Sequence, residues 1–529
     1  MIHQSINQYL EPCFTKYHSN TAILYPEENL SFRYDEMREQ IHRYARSLCS
    51  WGVKRNDHVA IILPTSPDWI FLFLAITLIG AVPVSLNDSD LQNEMEFKLN
   101  HSDTNYLFTT EAIYTNIISV CKIEKLKGIV ILPIFHSSKH ENVFSFEKFQ
   151  SMYSDTSTEA LAAVIAQTKY DDILNIQYTS GTTGLPKAVT SIHYSVLNNI
   201  LVFLRNFHYT EQDKIVAALP LYHVMGCLFT GILTFLSGGC LVLISHFHTK
   251  EVLNIIQTES CTSFHGVPTM FRFMLNRCSD YNISSLTKCM IAGDYCGPSL
   301  IDAIHKELKI DHPFPCYGQS EGIGITQALL TDSINKIKYT VGKAVDQVII
   351  KIIDDSGQEL PHNQVGEIIA YIPYHMLGYY KDPDATRKTL HNDWLYTGDL
   401  GYLDDDNYLV LKGRKKEIIV RGGENISPVE IENVIRTYEP VENVAVIGIS
   451  DSLMGQEIAA YITISPKHTL VTEEMKESLD QYLCEHLPKY KRPKFVYFID
   501  HFPMTTSGKI QKHKLIQLQP IQTDKGEII

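Results

Sequence analysis

The chain has 529 residues, 44% of them hydrophobic and 20% charged, with a formal net charge of −14 at pH 7. That length allows roughly three to four domain-sized units, and the composition is ordinary for a globular protein. The acidic total argues against a nucleic-acid binder, which carries a basic surface, although local basic clusters can still hold an anionic ligand.

The N-terminus, Met1-Ile-His-Gln-Ser-Ile-Asn-Gln, has no basic start leading into an apolar run, so no secretory signal is expected. The first long apolar stretch, Trp69 to Leu86, is interrupted by Thr77, Gly80 and Pro83. It reads as a buried helix from Pro67 to Ile79, a turn, and a strand from Ala81 to Ser85, after the strand Val59 to Leu63. A second stretch, Ile215 to Ser245, is broken by Pro220, His223, Gly226, Gly231 and Gly238-Gly239. No transmembrane segment is expected from either.

Strands are then expected at Cys240–Ile244, Thr262–Val267 and Thr287–Ala292, alternating with helices at Lys250–Glu259 and Ser299–Leu308. That alternation predicts an α/β fold of layered subdomains with parallel sheets. From about Ile337 to Lys412, strands such as Val348–Ile353 and Gly366–Ile372 alternate with turns such as Asp354-Asp-Ser-Gly357, which predicts a mainly β, barrel-like subdomain. A last unit of a little over 110 residues (414–529) carries a helix near Val429–Arg436, strands at Val444–Ile449 and Ala459–Ile464, and a helix over Glu473–His486. Eleven cysteines run from Cys13 to Cys484 with no Cys-x-x-Cys pair, the pattern of free thiols in a reducing compartment. The C-terminus, Gly526-Glu-Ile-Ile529, carries no lipid or peroxisomal signal. A cytoplasmic location is expected.

Six segments carry chemistry. Tyr178-Thr-Ser-Gly-Thr-Thr-Gly-Leu-Pro-Lys187 sets small and hydroxyl residues before a lysine, a composition that lets backbone N–H groups, hydroxyls and a point charge close on phosphate. It is not the Walker loop, because Lys187 is followed by Ala188 and the glycine spacing differs. A linker with no ligand has the same composition. Tyr317-Gly-Gln-Ser-Glu-Gly322 combines an aromatic ring, a turn, a hydroxyl and a carboxylate suited to a base, a phosphate and magnesium, or forms only a strand-end turn. Tyr396-Thr-Gly-Asp-Leu400 offers an aspartate for ribose hydroxyls, and Gly413-Arg-Lys-Lys-Glu417 offers concentrated positive charge or a solvated face. Arg421-Gly-Gly-Glu-Asn425 is a glycine turn before Ser427-Pro428, and Thr506-Ser-Gly-Lys509-Ile-Gln-Lys512 places a lysine on a small-residue loop.

In this order, the six segments resemble the adenylate-forming superfamily, on its acyl-CoA synthetase branch, over nearly the whole chain. The resemblance implies a large N-terminal domain (1–413) and a small mobile C-terminal one (414–529). It implies that Thr179, Ser180, Gly181, Thr182, Thr183, Gly184 and Lys187 hold the β- and γ-phosphates of ATP, with Thr179 near magnesium. Tyr317, with Gly318, Gln319 and Ser320, lines the adenine site, Glu321 holds Mg2+, and Asp399 and Arg414 bind ribose. Lys416 marks the hinge between the domains. Gly422 and Gly423 line the tunnel for the CoA thiol, and Lys509 bridges the substrate carboxylate and the α-phosphate.

Leu219-Pro-Leu-Tyr-His223-Val-Met-Gly226 matches the wall of the acyl pocket, with His223 as an aromatic gate or a core histidine. Gly293 is expected on the opposite wall. No aspartate stands in that segment to pair with an amino-acid ammonium, and no long insertion follows the hinge, so CoA and a neutral acyl group are expected. Ala188 and Ser320 depart mildly from the family pattern, which more often has glycine and threonine there. Two other readings stay open: a ligase that loads an acyl carrier protein, and a nucleotide-binding protein without catalysis. The identity of the acid and the oligomeric state cannot be read from these residues.

Overall fold

The structure is a computed structural model that describes residues 1–133, 142–179, 186–465, 468, 471–505 and 509–516. Ser180, Gly181, Thr182, Thr183 and Gly184 therefore lie outside the described residues, as do Thr506 to Gly508 and the C-terminal tetrapeptide.

Two large sheets organise the first part of the chain. One has eight strands and is built around His58–Ile62, which pairs in parallel with Val82–Ser85 and Tyr106–Thr110. Val82–Ser85 pairs in parallel with Ile173–Thr179, which turns back as an antiparallel hairpin into Lys187–Ile192. The edge is closed by the two-residue strand Gly378–Tyr379. The other sheet has nine strands, with Lys214–Ala217, Ser263–Gly266, Lys288–Ile291 and His312–Gln319 as its parallel centre. Their continuous apolar character suits strands covered on both faces.

The helix Pro67–Leu78 shows why the first apolar stretch has no amphipathic period. Ser66 caps it by accepting from the Trp69 N–H, Pro67 takes the first turn, and every residue from Trp69 to Leu78 is buried. A helix enclosed on all sides is apolar on all sides. Among the described residues, no helix is long and apolar enough to cross a membrane. The second stretch holds an element that its residues did not announce. Met225–Ile232 is a π-helix, in which the Thr230 hydroxyl donates to the Met225 carbonyl, and only Leu233–Ser237 is α-helical. Such wide turns are rare and gather at functional sites.

The mainly β unit is a five-stranded antiparallel sheet, with Gly366–Tyr371 and Trp394–Leu403 at its centre. Among the described residues no pairing joins its outer strands Ile349–Ile353 and Leu409–Arg414. Arg414 ends the strand Leu409–Arg414, and its partner across the sheet is Asp399.

Beyond it, a separate five-stranded sheet buries both faces of Val441–Asp451: Val444 and Val446 pack with Ile431, Ile435 and Leu483, while Ala445 and Ile447 pack with Tyr461 and Leu515. The helix Glu473–His486 keeps its expected bounds because Thr472 caps it and two glutamates occupy its first turn. All eleven cysteines are free thiols.

Two buried histidines in the first part make stability pH-dependent. His193 and His265 are fully buried, and burial lowers them to about 4 and about 3. His193 Nδ1 accepts from the Ile6 N–H, and His265 sits between the Tyr209 and Thr230 hydroxyls. Each folded pKa is below its unfolded value, so the unfolded chain binds more protons and stability falls as pH drops from about 7 to about 5, by on the order of 2 kcal/mol per histidine. Thermal melts across that range test this. His193→Gln and His265→Gln should each flatten the slope, and an unchanged slope in both would contradict it.

Candidate active site

Thr179 and the Tyr317 to Gln319 segment stand at the carboxyl ends of strands from the two large sheets, where open α/β sheets place their ligands. Thr179 ends one strand and Lys187 begins the next, directly opposite it, so the phosphate-loop candidate is the connection of a hairpin. The Thr179 hydroxyl donates to the Lys187 carbonyl at 3.4 Å.

Asp399 is the densest node. Its Oδ2 accepts from the Tyr317 hydroxyl at 2.7 Å and from Gln319 Nε2 at 2.8 Å, and its Oδ1 faces Arg414 Nε at 3.1 Å. Asp399 is 5% exposed, so these three partners replace its water. Gln319 also donates to the Thr397 carbonyl, fixing the turn before the aspartate. Burial pulls the Arg414 guanidinium down, but Asp399, Glu417, Tyr317 and Glu321 outweigh it and the net shift is upward. Tyr317 has a role beyond the expected base contact, because its buried hydroxyl locks Asp399 in place. Gly318 is required next to it: a Cβ there would lie 1.9 Å from the Ile323 carbonyl oxygen across the hairpin. Ser320 and Glu321 then lead out of that strand.

Glu321 and Lys187 are joined by a residue that the sequence did not single out. The Tyr379 hydroxyl donates to Glu321 Oε1 at 2.6 Å, and Lys187 Nζ lies 4.5 Å from the centre of the Tyr379 ring. The only sequence signal was the Gly378-Tyr-Tyr380 aromatic pair, unremarkable until its short strand pairs beside Val189. Tyr379→Phe keeps the ring under Lys187 and removes the hydroxyl from Glu321. A loss of about 1 kcal/mol, roughly a five-fold rise in KM for ATP, is expected in steady-state kinetics. An unchanged KM would dismiss the link.

The magnesium expectation has a chemically suitable donor set. Glu321 and Thr179 supply hard oxygens, and among the described residues the Tyr379 hydroxyl engages only one of the two Glu321 oxygens. Among the described residues there is no group of three or more His, Cys, Asp or Glu to cage a metal. That suits Mg2+, which binds through one or two carboxylates plus substrate phosphates.

The two acyl-pocket candidates have apolar and aromatic neighbours. A Cβ on Gly293 would lie 3.1 Å from Val267 Cγ1 and 3.6 Å from Met225 Sδ, so the glycine faces the start of the π-helix. His223 packs against the Tyr222 ring at 4.5 Å, and Gln177 Nε2 donates to the Tyr222 carbonyl. Burial, with Lys98 adding to it, lowers His223 to about 4, so its ring is neutral at physiological pH.

The remaining candidates lie in the last part of the chain. Gly422 and Gly423, at φ +59° and +89°, form the two-residue turn between Ile419–Arg421 and Glu424–Ile426. Two positive φ angles in a tight hairpin explain the glycine pair. Lys416 lies in the short turn Lys415–Glu417. Lys509 closes a hairpin with Thr505: its N–H donates to Thr505 Oγ1, and its carbonyl accepts from the Thr505 N–H. Among the described residues no hydrogen bond or ion pair joins its ammonium to Asp399, Glu321 or Lys187.

Comparison with known proteins decides the family. The AMP-binding enzyme model matches residues 10–380, and the AMP-binding enzyme C-terminal domain model matches residues 430–509. The chain belongs to the AMP-binding enzyme family. Among its relatives, YngI of Bacillus subtilis (strain 168), which carries an acyl-CoA synthetase name, is 32% identical over 97% of both chains. The mitochondrial medium-chain acyl-CoA ligase of Homo sapiens is 29% identical over 97% of this chain and 87% of its own.

Among solved structures, the anthranilate CoA ligase AuaEII with anthranoyl-AMP superposes at TM-score 0.89, with 24% identity over 98% of each chain. The o-succinylbenzoate CoA synthetase of Bacillus subtilis, solved with its acyl-adenylate intermediate, gives TM-score 0.81 and 25% identity over all of both chains. This AMP-binding enzyme is thus an acid–thiol ligase of the acyl-CoA synthetase kind.

Proposed function

We propose that this AMP-binding enzyme activates an uncharged, fatty or related carboxylic acid and passes it to coenzyme A. In the first step an oxygen of the acid attacks the α-phosphorus of ATP, the bond to the β-phosphate breaks, and pyrophosphate leaves with the electron pair. In the second step the sulfur of CoA, as thiolate, attacks the acyl carbonyl and AMP departs. Lys187, with the loop before it, holds the leaving phosphates. Glu321 and Thr179 would hold a magnesium ion bound with ATP, and that ion would offset phosphate charge. Tyr317 lies against adenine, Asp399 and Arg414 receive the ribose hydroxyls, and Lys509 lets two anions meet by neutralising both.

The observation that carries this reading is the pairing of the Asp399–Arg414 node with the Glu321–Tyr379–Lys187 link at neighbouring strand ends, one suited to ribose and the other to phosphates. The acyl side is read from Gly293, Met225 and Val267, which carry no charge, and from neutral His223. The medium-chain relatives point the same way. The division near residues 413 and 414, with a C-terminal part that turns at Lys416 between the two steps, belongs to the same proposal. The turn would withdraw Lys509 and bring the Gly422-Gly423 hairpin towards the acyl group.

The test is a pyrophosphate-release screen over straight-chain, aromatic and dicarboxylic acids, with and without CoA. Release with an uncharged acid, and thioester only when CoA is added, is expected. Preference for a dicarboxylic acid overturns the acyl class, and transfer only to a phosphopantetheinylated carrier protein overturns the acceptor.

A further inference from the structure

The two outer residues of the Lys415–Glu417 turn are anchored in opposite directions. Lys415 Nζ pairs with Glu367 Oε2 and Asp355 Oδ1, both at 2.9 Å, on the five-stranded sheet of the first part. Glu417 Oε2 faces Lys512 Nζ at 3.3 Å, in the last part. Lys416 is the residue between these two attachments.

Lys512 also stands three positions after Lys509. Its ammonium lies 2.8 Å from Glu432 Oε1, a carboxylate 5% exposed that also accepts from the Val446 N–H and pairs with Arg436. Burial acts to lower Lys512, but Glu432 and Glu417 outweigh it and the net shift is upward. Met504 bridges Ile510, and the Gln511 N–H donates to the Pro503 carbonyl. Lys509 therefore rides on a short hairpin whose outer leg is fixed by Lys512.

Resting on the two-step reading above, we propose that Lys512 is a positioning residue for adenylation: it ties the Lys509 hairpin to Glu417 and Glu432, while Glu367 and Asp355 hold Lys415, so that turning is confined to Lys416. The two attachments differ in strength. Lys415 is 45% exposed, against Asp355 at 93% and Glu367 at 15%, so its charge is largely screened by water. Lys512 is 24% exposed against an almost buried Glu432, so removing its charge leaves a carboxylate short of a partner. The side that carries Lys509 thus differs in one respect: the lysine that meets Glu417 is itself pinned to an almost buried carboxylate.

The test uses the full chain with Lys512→Met, Lys512→Arg and Glu367→Gln. Lys512→Met is expected to slow ATP–pyrophosphate exchange at least ten-fold and to leave acyl transfer from supplied acyl-adenylate to CoA within two-fold. Lys512→Arg should recover most of the exchange. Equal loss of both half-reactions, or no recovery with arginine, overturns the proposal.

A second readout needs no activity. Trypsin cleavage after Lys415 and Lys416 should rise at least three-fold in Lys512→Met and less in Glu367→Gln, with the fold checked by melting temperature. Unchanged cleavage in both variants overturns the proposal. A wild-type chain that exchanges pyrophosphate with no acid sinks the two-step reading instead, and the cleavage arm still decides whether the two attachments hold the turn.

Discussion

Replacing Lys509 by alanine is expected to lower acyl-adenylate formation by about 10²- to 10³-fold while transfer from supplied acyl-adenylate to CoA stays within about two-fold of the wild type. The size follows from what the lysine faces. A carboxylate and a triphosphate repel each other, and one ammonium held near both offsets that repulsion in the transition state, where the charge is shifting. The second step has no such need, because a neutral acyl carbonyl meets a thiolate.

The variant should fold. Lys509 contributes backbone hydrogen bonds to the Thr505 hairpin, which alanine retains, and among the described residues its ammonium has no ion pair in the surrounding core. A change at such a position costs within about 0.5 kcal/mol. Pyrophosphate exchange and single-turnover transfer, run on the same preparation, separate the two steps. Equal loss in both, or undiminished exchange, would remove Lys509 from its role.

Much of the fold was legible because local chemistry announced it. Glycine turns such as Gly422-Gly423, the Thr472 cap and the aspartate turns of the β unit are short-range signals, and the corresponding elements fall within a residue or two of expectation. Strand–helix alternation gave the layered architecture for the same reason. What stayed hidden depends on partners far apart in the chain. Nothing near Tyr317 signals that its hydroxyl will meet Asp399, and Tyr379 gains its meaning only when an edge strand brings it over Lys187. The π-helix at Met225–Ile232 was also hidden, because a fully buried apolar run carries no period by which one helix type is told from another. The pairing of Arg414 with Asp399 was hidden as well, because the two stand on different strands that only the folded sheet brings opposite each other.

That pairing carries the second large effect. Asp399→Ala removes the acceptor shared by Tyr317, Gln319 and Arg414, leaving a buried hydroxyl and a half-covered guanidinium without their carboxylate. Breaking such a node costs about 2–4 kcal/mol, at the lower end of the buried-pair range because the Arg414 side chain is 41% exposed. A melting temperature lower by roughly 5–10 °C and a KM for ATP raised at least ten-fold are expected. Asp399→Asn separates the causes. The amide oxygen still accepts from Tyr317 and Gln319, so less than half of the thermal loss should appear. The negative charge opposite Arg414 is gone, and with it the strong acceptor for a ribose hydroxyl, so the KM for ATP should rise nearly as far as in the alanine variant. If Asp399→Asn bound ATP like the wild type, Asp399 would be a structural bracket for the Tyr317 hairpin. If Asp399→Ala melted unchanged, the three hydrogen-bonded partners would not be holding the site at all.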